Sequence, residues 1–200
     1  MHFEIRDDVN EALLGTAWLL GAWVGNGHGH WPDVGDFEFG QRIDFSTNGG
    51  PFLHCVSQCW TLGADGQPDQ PLTMEDGFWR PGADGELEVV TARPEGFVEI
   101  WVGHIKGAQI DMTTDLVART TTAEPAVSGG QRLFGNVEGD LLYAWDRAAE
   151  GVPLQPYMWA RLRRLDAEGG DAGGAGAGES RADGSGADGS GADGVSSDKE

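Results

Sequence analysis

Positive charge is scarce in this chain. Lys and Arg together number 13 against 33 Asp and Glu, a formal net charge of −20. So acidic a protein is repelled by phosphate backbones and anionic lipid surfaces, which excludes nucleic-acid and membrane partners. Cysteine is nearly absent, with Cys55 and Cys59 alone. Four residues apart on a strand that rises ~3.3 Å per residue, their Cα atoms stand about 13 Å apart, out of disulfide reach, so they are free thiols. A C-x3-C pair without a second pair gives no zinc site, and no C-x-x-C-H is present for covalent haem attachment. Long apolar runs are missing too, none approaching the ~20 residues that span a bilayer. The stretch from Ala12 to Leu20 follows Glu4, Asp7, Asp8 and Glu11 instead of a basic segment. It reads as a short helix leading into the first strand, not as a secretory signal, and the protein as cytoplasmic.

What is plentiful is glycine, and it is unevenly spread. From Asp166 the chain becomes Gly, Ala, Asp and Ser, with Ala182-Asp183-Gly184-Ser185-Gly186 repeated from Ala187. Such a segment has no apolar material for a core and reads as a disordered acidic tail over residues 166–200, appended to one domain over residues 1–165. A domain of that size buries roughly 70% of the surface its unfolded chain exposes, so one core suffices.

Within the domain, turn signals separate short apolar runs: Asn48-Gly49-Gly50-Pro51, Gly63-Ala64-Asp65-Gly66, Pro81-Gly82-Ala83-Asp84-Gly85, Pro94-Glu95-Gly96 and Glu138-Gly139-Asp140. The spacing fits an all-β antiparallel barrel of about ten strands. The clearest strand is Phe37 to Phe45, where Phe37, Phe39, Ile43 and Phe45 share one face, interrupted by Gln41, and Glu38, Arg42 and Asp44 share the other. A closed sheet of eight strands can just hold one small ligand, so about ten strands imply a cavity. Eight Trp and eight Phe are available to line or fill it.

Two local patterns invite chemistry and lack the rest of its apparatus. The glycines at 21, 25, 27 and 29 are not followed by a helix, as a dinucleotide loop requires; they read as close backbone approach at a barrel corner, with Trp23 in the core. His28 and His30 could join His54 or His104 at a metal, but no further ligand is fixed by spacing, so solvated histidines are the reading.

Gly21-Ala22-Trp23-Val24-Gly25-Asn26-Gly27 is G-x-W-x-G-x-G, and it runs into Gly29-His30-Trp31-Pro32. With Pro51-Phe52-Leu53, Gly77-Phe78-Trp79-Arg80 and Arg93-Pro94-Glu95-Gly96, this resembles the nitrobindin family across nearly the whole domain. The resemblance implies a ten-stranded, calycin-like barrel similar to fatty-acid-binding proteins. It also implies haem b held by one histidine, with action on nitric oxide and peroxynitrite. In the segment Pro153-Leu154-Gln155-Pro156-Tyr157-Met158 that histidine's place is taken by Tyr157. Asp33 stands where the family has a threonine against the haem, and Arg147 where it tends to have methionine. Strict alternation puts Tyr157 on the side of Trp159, Arg161 and Arg163, facing outward unless a bulge resets the register.

The expected function is accordingly a nitrobindin-like barrel without the iron ligand, hence without haem, its cavity empty, filled by side chains or used for another small apolar ligand. The alternative is a ferric-haem peroxynitrite isomerase ligated through Tyr157, or through His28 or His30. Phenolate ligation needs a nearby cation, because an unperturbed tyrosine loses its proton only near pH ~10.

Overall fold

The computed structural model describes residues 9–165; the acidic tail lies outside them. Ten strands, β1 (Gly21–Trp31), β2 (Gly35–Ser46), β3 (Leu53–Leu62), β4 (Pro68–Pro81), β5 (Glu86–Arg93), β6 (Phe97–Lys106), β7 (Gln109–Arg119), β8 (Val127–Val137), β9 (Asp140–Ala149) and β10 (Val152–Arg164), follow one another in space as in sequence. Each pairs antiparallel with its neighbours, and β1 closes on β10, so no edge strand is left.

Meander connectivity gives the barrel two distinct ends. The β1–β2, β3–β4, β5–β6, β7–β8 and β9–β10 connections lie at one, here called the upper end. The other four connections and the start of β1 lie at the lower end. The lower turns are tight where the sequence allows: Glu138 and Gly139 both take positive φ (57° and 91°), the paired left-handed conformation that a two-residue hairpin needs.

The lower end is closed by the segment before β1. The short helix that the sequence suggests here takes the form of two 3-10 turns, Glu11–Leu13 and Ala17–Leu19. The i→i+3 bonds continue between them, Thr16 N to Leu13 O at 2.9 Å and Leu19 N to Thr16 O at 2.9 Å. With three residues per turn, Leu13, Thr16 and Leu19 repeat on one side, and all three are fully buried in the barrel mouth. Trp23 Nε1 donates to Leu19 O at 2.7 Å, locking the plug to β1. Arg164 donates to the carbonyls of Leu20 and Trp18 and lies over the Trp23 ring.

The glycines of the opening motif do what close strand approach requires. A Cβ on Gly25 would meet Arg161 O at 2.5 Å, and one on Gly27 would collide with Phe39 and the Trp159 carbonyl. β1 and β10 can therefore close the barrel only where β1 has no side chain. The face expected for Phe37–Phe45 is the observed one, with Phe39, Gln41, Ile43 and Phe45 all buried inside.

Candidate functional site at the upper end of the barrel

Tyr157 is turned into the barrel by a bulge. The β9–β10 register slips between Pro156, opposite Asp146, and Met158, opposite Trp145, so Tyr157 is the extra residue and both it and Met158 face inward. The outward orientation that alternation suggests is thus corrected by one inserted residue. Beyond the bulge alternation resumes, with Met158, Ala160 and Leu162 buried and Trp159 exposed.

Aromatic rings wall Tyr157 in. Its centroid lies 4.9 Å from Trp145, 5.5 Å from Trp31 and 6.2 Å from Phe37, all edge-on. The Arg147 guanidinium covers what is left, 3.8 Å from the Tyr157 centroid and 4.0 Å from that of Trp31. Arg147 is 5% exposed. Burial pulls its guanidinium below the usual value, against the opposing influence of Tyr157 and Glu99.

Below this lid the interior is charged. Arg132 on β8 and Glu75 on β4 form a bidentate pair, Nη1 to Oε1 at 2.7 Å and Nη2 to Oε2 at 2.6 Å. Burial alone would raise the Glu75 carboxyl, but the Arg132 charge wins and holds it below the ordinary carboxylate value. Arg93 at the end of β5 faces Glu99 on β6 at 3.0 Å, a charge contact without hydrogen-bond alignment. Here burial prevails over Arg93, and the Glu99 carboxyl is pushed up. Trp145 joins the groups: Arg93 and Arg132 lie 5.2 and 4.0 Å from its ring, with Tyr157 against it.

Sequence reasoning missed Glu75, Arg93, Glu99 and Arg132, although the signal was present. Glu75 alternates with Gly77 and Trp79, Arg93 with Val89 and Thr91, and Arg132 with Phe134, so period two carried through each strand puts these charges inside.

Between the two layers is a cavity of about 40 Å³, lined by Ile43, Cys55, Cys59, Glu75, Arg132 and Met158 among others. The open interior expected for ten strands is filled, because Trp23, Trp79, Trp101 and Phe39 pack its core and the arginines take up its upper part. Cys55 and Cys59 are free thiols inside, and burial pushes Cys59 up to about 12. Asp33 is exposed in the β1–β2 turn and brings no charge against the rings. The four described histidines stand on the outer surface, each beside its own carboxylate: His28 with Glu38, His30 with Asp36, His54 with Asp76 and His104 with Asp111. Among the described residues no three His, Cys, Asp or Glu side chains gather as a metal site. No helix there is long and apolar enough to cross a membrane.

Known proteins share this barrel. Residues 12–164 match the THAP4-like, heme-binding beta-barrel domain. A ferric nitrobindin-like protein of Cutibacterium acnes is 53% identical over 82% of this chain and 99% of its own length. A peroxynitrite isomerase of Nocardioides sp. is 43% identical with the same coverage. The crystal structure of Rv2717c from M. tuberculosis superposes with a TM-score of 0.71 at 32% identity, covering 79% of this chain and 99% of the other. With the G-x-W-x-G-x-G strand closing a ten-stranded barrel and relatives matched almost end to end, the chain belongs to the nitrobindin family of THAP4-like, haem-binding β-barrels.

Proposed function

We propose that this chain is a nitrobindin-family barrel that does not hold haem iron, and that its interior serves small ligands only. The observation that carries the reading is Arg147 lying on the Tyr157 ring at 3.8 Å, in the space that a group ligated at position 157 would need. Tyr157 stands, by resemblance, where the family has its axial histidine. The interior cavity of about 40 Å³ is far below the ~300–1,000 Å³ of pockets for drug-sized ligands, and a haem macrocycle is no smaller. Room for haem would require moving a buried cation that lies against two aromatic rings. The residues present do not fit the group. Free, buried thiols agree with a reducing cytoplasm as its location.

One observation favours a second reading. Tyr157 faces inward and has a cation beside it, the condition under which a phenolate could ligate ferric iron. The two readings separate in a hemin titration followed by visible absorption. Under the first, the native chain gives no saturable Soret band, and one appears when Tyr157→His is combined with Arg147→Met. A saturable band in the native chain that disappears in Tyr157→Phe establishes the second.

A further inference from the structure

The buried charges do not balance locally around Arg147. Arg132 is matched by Glu75 and Arg93 by Glu99, whereas among the described residues no carboxylate lies within ion-pair distance of Arg147. Glu95, another carboxylate with a buried oxygen, accepts a hydrogen bond from Thr73 at 2.6 Å; its other oxygen has no partner. A buried cation without a counter-charge costs several kcal/mol, so its retention calls for a reason.

Arg147 and its strand neighbour Gln155 each carry an unsatisfied hydrogen-bond donor, while the Glu99 carboxylate oxygens nearby lack hydrogen-bond donors of their own. Arg147 Nε is buried without a partner, and so is Gln155 Nε2. Gln155 is the register partner of Arg147 across β9 and β10, which places both side chains on the inward face as neighbours. Trp145 Nε1 and Arg93 Nε, one strand position below and across the barrel mouth, are likewise buried donors without an acceptor. The guanidinium carbon lies 4.0 Å from the Trp31 centroid and 3.8 Å from that of Tyr157, two rings set 80° apart, and Tyr157 also hydrogen-bonds the guanidinium, so the Nε side is the one left without a partner. Glu99 lies within ion-pair distance of Arg93 and not of Arg147, so it does not supply that partner.

We propose that Arg147 and Gln155 form an anion site at the upper mouth of the barrel that takes a small monocarboxylate. The planar guanidinium edge matches two carboxylate oxygens, and the Gln155 amide supplies a further donor. Size and charge follow from the surroundings. The aromatic walls and the filled interior leave no channel for a long alkyl chain, and a surface carrying a net −20 disfavours a multiply charged ligand. The site rests on the haem-free reading, since it uses the space that haem would take.

The test is a titration of the full, hemin-free chain with sodium formate and sodium acetate against sodium chloride at constant ionic strength, read by tryptophan fluorescence. Trp31 and Trp145 border the site and report on it. A saturable change with the carboxylates that exceeds the chloride response is expected. Arg147→Gln should weaken it about tenfold or more, since a charge-assisted pair is lost, and Arg147→Lys should fall between, because the charge remains without the fork. Should Arg147→Gln not fold, Gln155→Leu removes one donor at a partly exposed position and should weaken binding severalfold. No saturable response in the native chain, or an unchanged response in these variants, overturns the site. Failure of the haem-free reading shows separately, as a Soret band when hemin is added to the native chain.

Discussion

The two ends of this barrel are filled on opposite principles. At the lower end Leu13, Leu19, Trp23, Leu53, Leu87, Ile110, Leu141 and Leu162 are almost completely buried and, the Trp23–Leu19 hydrogen bond apart, pack as an apolar core. At the upper end the space is taken by Glu75, Arg93, Glu99, Arg132 and Arg147, which require partners. An apolar core is tolerant: it loses roughly the transfer and cavity energy of whatever is removed. A buried charge network is not, because deleting one member leaves another uncompensated in low dielectric. The lower end thus works as a structural plug. The upper end holds most of the buried polar chemistry, and Tyr157 belongs to it.

The sharpest way to break that contrast is to unpair a charge. Arg132→Met leaves the Glu75 carboxylate buried without its partner and should destabilise the fold by about 3–5 kcal/mol in urea denaturation. Replacing both, Glu75→Leu with Arg132→Met, should recover much of that loss. If the single and double variants are equally unstable, the pair is not the reason for the instability. Trp23→Ala at the lower end should cost a comparable ~3–5 kcal/mol with no such rescue, because a cavity has no partner to remove. An unchanged denaturation midpoint would remove Trp23 from the core.

Leu141→Ala, in the same layer, should cost about 2–5 kcal/mol by the cavity it leaves. The effect of acid should differ between the layers. The folded-state value of Glu75 is depressed below its usual 4.5, so its contribution is present at neutral pH and lost as pH falls through that lowered value. Glu75→Gln should therefore flatten the stability profile below pH 4.5, measured relative to each variant's own value at pH 7, whereas Leu141→Ala should shift the whole profile. Parallel profiles for the two variants would contradict the assignment. The smallest effect is expected from a thiol reagent at pH 8, since Cys55 and Cys59 are buried and Cys59 is pushed up to about 12. Neither should react in the folded chain, and both should react in denaturant; rapid labelling of the native protein would show the interior to be open.

Much of the barrel is legible in the amino acids because it rests on local rules. Turn residues such as Glu138 and Gly139 mark the strand ends, and the Phe37–Phe45 alternation marks an inward face. The motif glycines mark close approach, although only the pairing shows that β10 is what approaches Gly25 and Gly27. The site was less legible. Tyr157 was found through resemblance, but its orientation depends on one inserted residue opposite β9, which no periodicity within β10 reveals. The charged interior runs against the expectation that ionised side chains face water, an expectation that holds until two strands supply each other's counter-charge.

What the sequence determined by itself is the scaffold: an acidic single-domain β-barrel of about ten strands, with free thiols and a tyrosine at position 157. These follow from composition, period two and turn chemistry, which act between near neighbours in the chain. Only the tertiary structure decided that Tyr157 looks inward, that Arg147 lies across it, and that Glu75 meets Arg132 although 57 residues separate them. Those outcomes depend on register and barrel closure, where contacts distant in sequence are set together and a shift of a single residue exchanges the inside for the outside.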